Sequence, residues 1–164
     1  MNSIQQEFSE IIGDLIRINK IRIECYYKLT VEDNESSDEL KELFEYKAIK
    51  VQNNNEELLE LLTWNDSLPI PPGRIFLDWN KTKKMLSSEN GKAVLSFCEW
   101  GEEAALEAYK SALISGALDP IARRVIMDQK YSLQSSHNQI KKYLDLQDLP
   151  YYSSNSVTYK SAVY

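Results

Sequence analysis

Histidine occurs once in this chain of 164 residues, at His137, and cysteine only twice, at Cys25 and Cys98. A Ser-His or Cys-His pair would have to be built on that one imidazole, and no nucleophile with its base is apparent. There is no Gly-rich phosphate loop, so a hydrolase or nucleotide-binding reading has nothing to rest on. No CxxC or Cys/His cluster points to a structural zinc site either. Both cysteines fall on apolar stripes, which suits small buried thiols better than a bridge, and both are expected to be reduced. Glycine and proline are scarce, five of each, with three of the prolines inside Pro69-Ile70-Pro71-Pro72. That scarcity argues for long uninterrupted elements.

Long apolar runs and basic runs are missing too. No window approaches the ~18 apolar residues of a membrane span, and the start MNSIQQEFSE has neither a basic nor an apolar leader region. The expected place is the cytoplasm. Against 25 acidic residues stand 19 basic ones, a net charge of −6, so nucleic acid and anionic membrane surfaces are not expected partners. The length is that of one domain, enough to bury roughly 68–70% of the unfolded surface without staples.

What is present is helical period. Ser3 and Gln6 form a capping box ahead of the stripe Ile4, Phe8, Ile11, Leu15, Ile18, Arg22, Cys25 and Leu29. After the polar turn Thr30–Ser37, a second box, Ser36 with Glu39, opens the stripe Leu40, Phe44, Lys47, Val51, Asn54, Leu58 and Leu62. These two helices are antiparallel because their connection is short. From Trp64 to Asn90 a longer connection begins with prolines, which forbid a helix, and then carries a short helix over RIFLDWNKTKKML with Ile75, Phe76, Trp79, Thr82, Met85 and Leu86 on one side. At ~3.3–3.6 Å per extended residue the connection can travel the length of the bundle.

Two further helices follow, turning at Gly116 to Pro120, with Gly116 as a stop and Asp119-Pro120 as cap and first position. The first carries small residues at Cys98, Gly101, Ala105, Ala108 and Ala112, which let a neighbouring backbone come close. The second carries Ala122, Ile126, Gln129, Leu133, His137, Ile140 and Leu144 in one stripe. The predicted architecture is all-α: a ferritin-like four-helix bundle over residues 1–149, with a long crossover containing a short helix between the second and third bundle helices. Residues 150–164 form a tail with four tyrosines, expected to anchor on the bundle or on a second copy.

The strings GRIFLDWNKTKKML, CEWGEEAALEAYKSAL and VIMDQKYSLQSSHNQIKKYL resemble the bacterial ferritin-like four-helix-bundle family of unknown function. The matching positions are Arg74, Trp79, Gly101, Glu102, Tyr109, Gln129 and His137, with Glu24 and Tyr26 matching more weakly. The resemblance runs over most of residues 8–146 and implies a fold. Because the family has no established activity, it implies no substrate, and analogy with the wider superfamily suggests only a stress-related role.

Ferritin-like dimetal sites take a Glu from each of two helices and a Glu-x-x-His from each of the other two. If helices three and four turn near residues 116–119, Glu99 is level with His137 and Glu102 with Gln134. Asn19, Arg22, Glu45 and Lys47 fall at the same depth on the other pair. The dimetal recipe is not met, since Gln134 stands where a carboxylate belongs and no second histidine exists. Gln129 is about 12 Å along the axis from His137 at ~1.5 Å per residue, too far to help. One iron, manganese or zinc ion could still be held by Glu99, Glu102 and His137. The preferred reading is a polar core layer, Arg22, Glu45, Lys47, Gln129 and Gln134 with the two glutamates and His137, whose hydrogen bonds and ion pairs fix register. No resident cofactor is expected on that reading. The functions that follow are a non-catalytic binding or interaction module, an iron-handling protein at a degenerate carboxylate/His site, or a scaffold that dimerises through the crossover or tail.

Overall fold

The computed structural model describes residues 3–32, 38–62, 70–90 and 94–147. It is all-α: α1 Ser3–Glu32, α2 Asp38–Leu61, α3 Arg74–Asn90, α4 Val94–Ile114 and α5 Pro120–Gln147, with no strand among the described residues. None of these helices is long and apolar enough to cross a membrane. Helix α1 packs along α2, α4 along α5, and α3 lies on α4 and α1. The tyrosine tail, residues 150–164, lies outside the described residues.

The periodic stripes become the core. On α5, Ala122, Ile126, Gln129, Leu133, His137 and Ile140 are all buried, as are Cys98, Ala105, Ala108 and Ala112 on α4. Burying such stripes is what stabilises helices that are weak alone. Two apolar clusters result. The larger holds Ile12, Leu15, Ile18, Leu58, Trp79, Ala105, Tyr109 and Ile126, and the smaller holds Tyr26, Leu29, Phe44, Ala48, Val51, Cys98 and Ile140. Arg22, Glu102 and His137 sit between them in chain order.

Local chemistry sets the junctions. Asp119 caps α5 by accepting from the Ala122 amide at 2.8 Å. Arg123 donates to the free carbonyls of Leu113 and Ser115 at the end of α4. Asp14, buried on α1, caps α3 across space: its carboxylate accepts from the amides of Gly73 at 2.8 Å and Phe76 at 3.0 Å. Arg17 bonds Asp14 at 3.1 Å and also the Ile70 carbonyl, so the proline segment is pinned to α1 at one point.

Several expectations change. Helix α1 continues to Glu32, so Thr30, Val31 and Glu32, expected to open the turn, are helical. On α2, Asn55 rather than Asn54 is the buried asparagine, because its amide donates to the Ile16 carbonyl at 3.1 Å. On α3, Met85 is exposed, and Ile75 and Trp79 are the buried anchors among the side chains described; Leu86 lies outside them. Cys25 and Cys98 are not separate thiols. They are joined as a disulfide between α1 and α4, with Cα atoms 6.3 Å apart, because the two apolar stripes that carry them face each other.

Candidate functional site: a buried polar network

Nine-tenths or more of Arg22, Lys47, Glu102, Gln129 and His137 is buried, so each must find partners or carry a penalty. Glu102 is 1% exposed. It accepts hydrogen bonds from the Tyr26 hydroxyl and, at 3.0 Å, from the Ser136 hydroxyl. Tyr26 in turn accepts from Arg22 at 3.3 Å, and Arg22 donates to Asn19 at 2.9 Å. Asn19 donates to Asn55 at 2.9 Å and to Tyr109 at 3.1 Å, and Tyr109 donates to Gln129 at 2.8 Å. At the other end Lys47 donates to the Ser136 hydroxyl, to its carbonyl at 3.1 Å and to Gln139 at 3.1 Å. One hydrogen-bonded chain therefore runs from Gln129 to Gln139 and draws on α1, α2, α4 and α5.

His137 lies between two carboxylates spaced three residues apart on α4. Its Nδ1 faces Glu102 at 3.7 Å, and its Nε2 faces Glu99 at 3.9 Å. Both separations exceed a hydrogen bond, so these are ionic approaches. The three residues named from the sequence come together, with the ring between the acids. The exposed Glu103 is a further acid at this place: one ligand atom each of Glu99, Glu103 and His137 lies within 4.8 Å of the others.

The electrostatics follow from burial and neighbours. Glu102, chiefly, raises the His137 pKa above 6.5 against desolvation, with Glu99 adding to it. Burial pushes the Glu102 carboxyl up, yet His137, Arg22, Lys47 and Tyr26 outweigh it and hold its pKa below 4.5. Burial also lowers Lys47 to about 8, opposed by Glu102. Glu99 is raised above 4.5 by its own burial. The layer thus holds Glu102 ionised among Arg22, Lys47 and His137.

Two predicted members lie outside. Glu45 and Gln134 are exposed, and Gln134 bonds Asn138 on its own helix at 3.0 Å. At those levels Phe44 and Leu133 take the inward position, and the next residue points about 100° further round. Tyr26, Asn55, Ser136 and Glu103 join the network or its edge without having been singled out as core-layer members. The signal for Ser136 was its place beside His137, and Tyr26 stands four residues after Arg22.

No family model, curated protein or solved structure matches this chain.

Proposed function

We propose that the chain is a non-catalytic binding or interaction module on a ferritin-like four-helix bundle of α1, α2, α4 and α5, with α3 in the crossover. The supporting observation is the state of Glu102. A carboxylate at this depth would bridge metals in a ferritin-like centre, whereas here two hydroxyls bond its Oε2 and the charges of Arg22 and Lys47 balance it, while Oε1, 3.7 Å from His137 Nδ1, has no hydrogen-bond partner. The ferritin-like family resemblance, a stress-related role and self-association through the crossover or the tail belong to the same proposal. So does a cytoplasmic location, against which the Cys25–Cys98 disulfide counts, since such bonds persist mainly in oxidising compartments. Elemental analysis of protein purified without chelator tests it. No stoichiometric transition metal is expected.

A second reading is favoured by one observation, the approach of Glu99, Glu103 and His137. A single divalent ion there would take one neutral imidazole nitrogen and two carboxylates; if that nitrogen is the Nε2 that faces Glu99, Glu102 would orient Nδ1 as the outer carboxylate does in many His-metal sites. Stoichiometric metal that disappears in His137→Ala would establish this reading over the first.

A further inference from the structure

Helices α2 and α5 touch along only a short stretch, and a cleft of about 270 Å³ opens between them. Helical spacing decides what faces it. Lys47 and Lys50 come from α2, Ser132, Ser135 and Ser136 from α5, and Arg22 reaches in from α1. No carboxylate lines the cleft, although the chain as a whole carries a net charge of −6. Three cations and three hydroxyls on an acid-free wall form a local inversion of the protein's charge. Behind this wall three buried atoms, Arg22 Nε, Glu102 Oε1 and His137 Nδ1, have no hydrogen-bond partner among the described residues, and none of them is open to the cleft. Arg22 therefore adds positive charge to the cleft from a buried position, and the exposed donor at its rim is Lys50.

The geometry points to a binding site in the α2/α5 cleft for the phosphate group of a small phosphorylated molecule. Guanidinium, ammonium and hydroxyl donors match the several acceptor oxygens of a phosphate, and a dianion balances the surplus positive charge. The volume lies near the lower end of ligand pockets, ~300–1,000 Å³, which restricts the occupant to a small molecule. Val51 and Leu133 supply an apolar wall on which the organic part of an ester would rest. This site rests on the binding-module reading and gives that module its ligand class.

Titration of the full chain, followed through backbone amide resonances, tests it in chloride buffer with inorganic phosphate and phenyl phosphate as probes. Saturable shifts confined to residues 46–54 and 132–139 are expected. Lys50→Glu, on the exposed rim, should weaken binding at least about tenfold, while the same charge reversal at exposed Lys20 should leave it unchanged. Tighter binding of phenyl phosphate supports an ester ligand, and equal binding supports free phosphate. No saturable shift with either probe, or equal loss in both variants, overturns the site. Metal analysis of the same sample reads the parent proposal separately: stoichiometric metal with intact phosphate binding overturns the non-metal reading alone.

Discussion

Tyr26 on α1 donates its hydroxyl proton to Glu102 on α4, a contact across 76 positions of sequence. The same hydroxyl accepts from Arg22, so it stands between the buried cation and the buried anion. Burial raises the Tyr26 pKa well above its ordinary value, which keeps the proton available for Glu102. Loss of this group leaves two charges without their intermediary.

Tyr26→Phe is therefore expected to lower stability by ~1–3 kcal/mol, the cost of an unsatisfied buried polar group. Glu102→Ala should cost more, ~3–5 kcal/mol, since Arg22 would stay buried without its anion. Urea unfolding of both variants checks the order. A Tyr26→Phe loss as large as that of Glu102→Ala would show that the hydroxyl, rather than the charge, governs the layer.

Stability should vary with pH in three steps of alternating sign. His137 has a folded pKa raised above 6.5, so its contribution is full below 6.5 and is lost as pH rises through the folded value. Lys47, lowered from 10.5 to about 8, works the other way: above about 8 the folded state sheds its proton before the unfolded chain does, and stability climbs. Tyr26 and Tyr109, both raised above 10.0, draw it down again beyond that value. Urea midpoints should fall from pH 6.5 and recover between about 8 and 10. His137→Gln should remove the fall and Lys47→Met should shrink the recovery, to which Lys83, also lowered by burial, contributes the remainder. Because His137 is the sole histidine, its ring-proton signal gives the pKa directly, and a value below 6.5 would contradict the ionic clasp.

Much of this layout was legible in the sequence because helical period specifies burial without reference to chemistry. The α5 stripe placed Gln129 and His137 inside, and Arg22 and Lys47 on their stripes proved buried as well. Register across helices is harder. Counting back from the α4/α5 turn put Glu99 level with His137, but put Glu102 level with Gln134 when its partner is Ser136. An error of two residues turns a side chain by about 200°, from core to solvent. Asp14 was missed because its partners are the backbone amides of Gly73 and Phe76, and backbone partners leave no pattern in sequence.

The cysteines offer a third test. A bridge closing 73 residues of chain should add ~4 kcal/mol by restricting the unfolded state. Denatured, unreduced protein should show no free thiol, and adding reductant should lower the thermal midpoint by several degrees. Two reactive thiols in the unreduced sample would restore the expectation of separate buried cysteines.

Gly101 gives the last prediction, and its sign runs against the small-residue stripe that suggested close packing. A methyl group built on Gly101 would meet nothing within 4 Å, although the residue is buried in mid-helix. The space beside it is a narrow gap bounded by Trp79, Cys25 and Cys98. Its carbonyl accepts from the Trp79 indole at 3.4 Å, a backbone contact that alanine retains. Glycine inside a helix costs ~0.5–1 kcal/mol relative to alanine, because the unfolded chain is freer. Gly101→Ala should accordingly stabilise by ~0.5–1 kcal/mol and raise the thermal midpoint by about 1–4 °C. Ala105→Val, one turn on at a position with no exposure, should instead destabilise by ~1–3 kcal/mol through overpacking. A loss of stability in Gly101→Ala would mean that α3 and α4 approach more closely at Trp79 than the open space beside Gly101 allows.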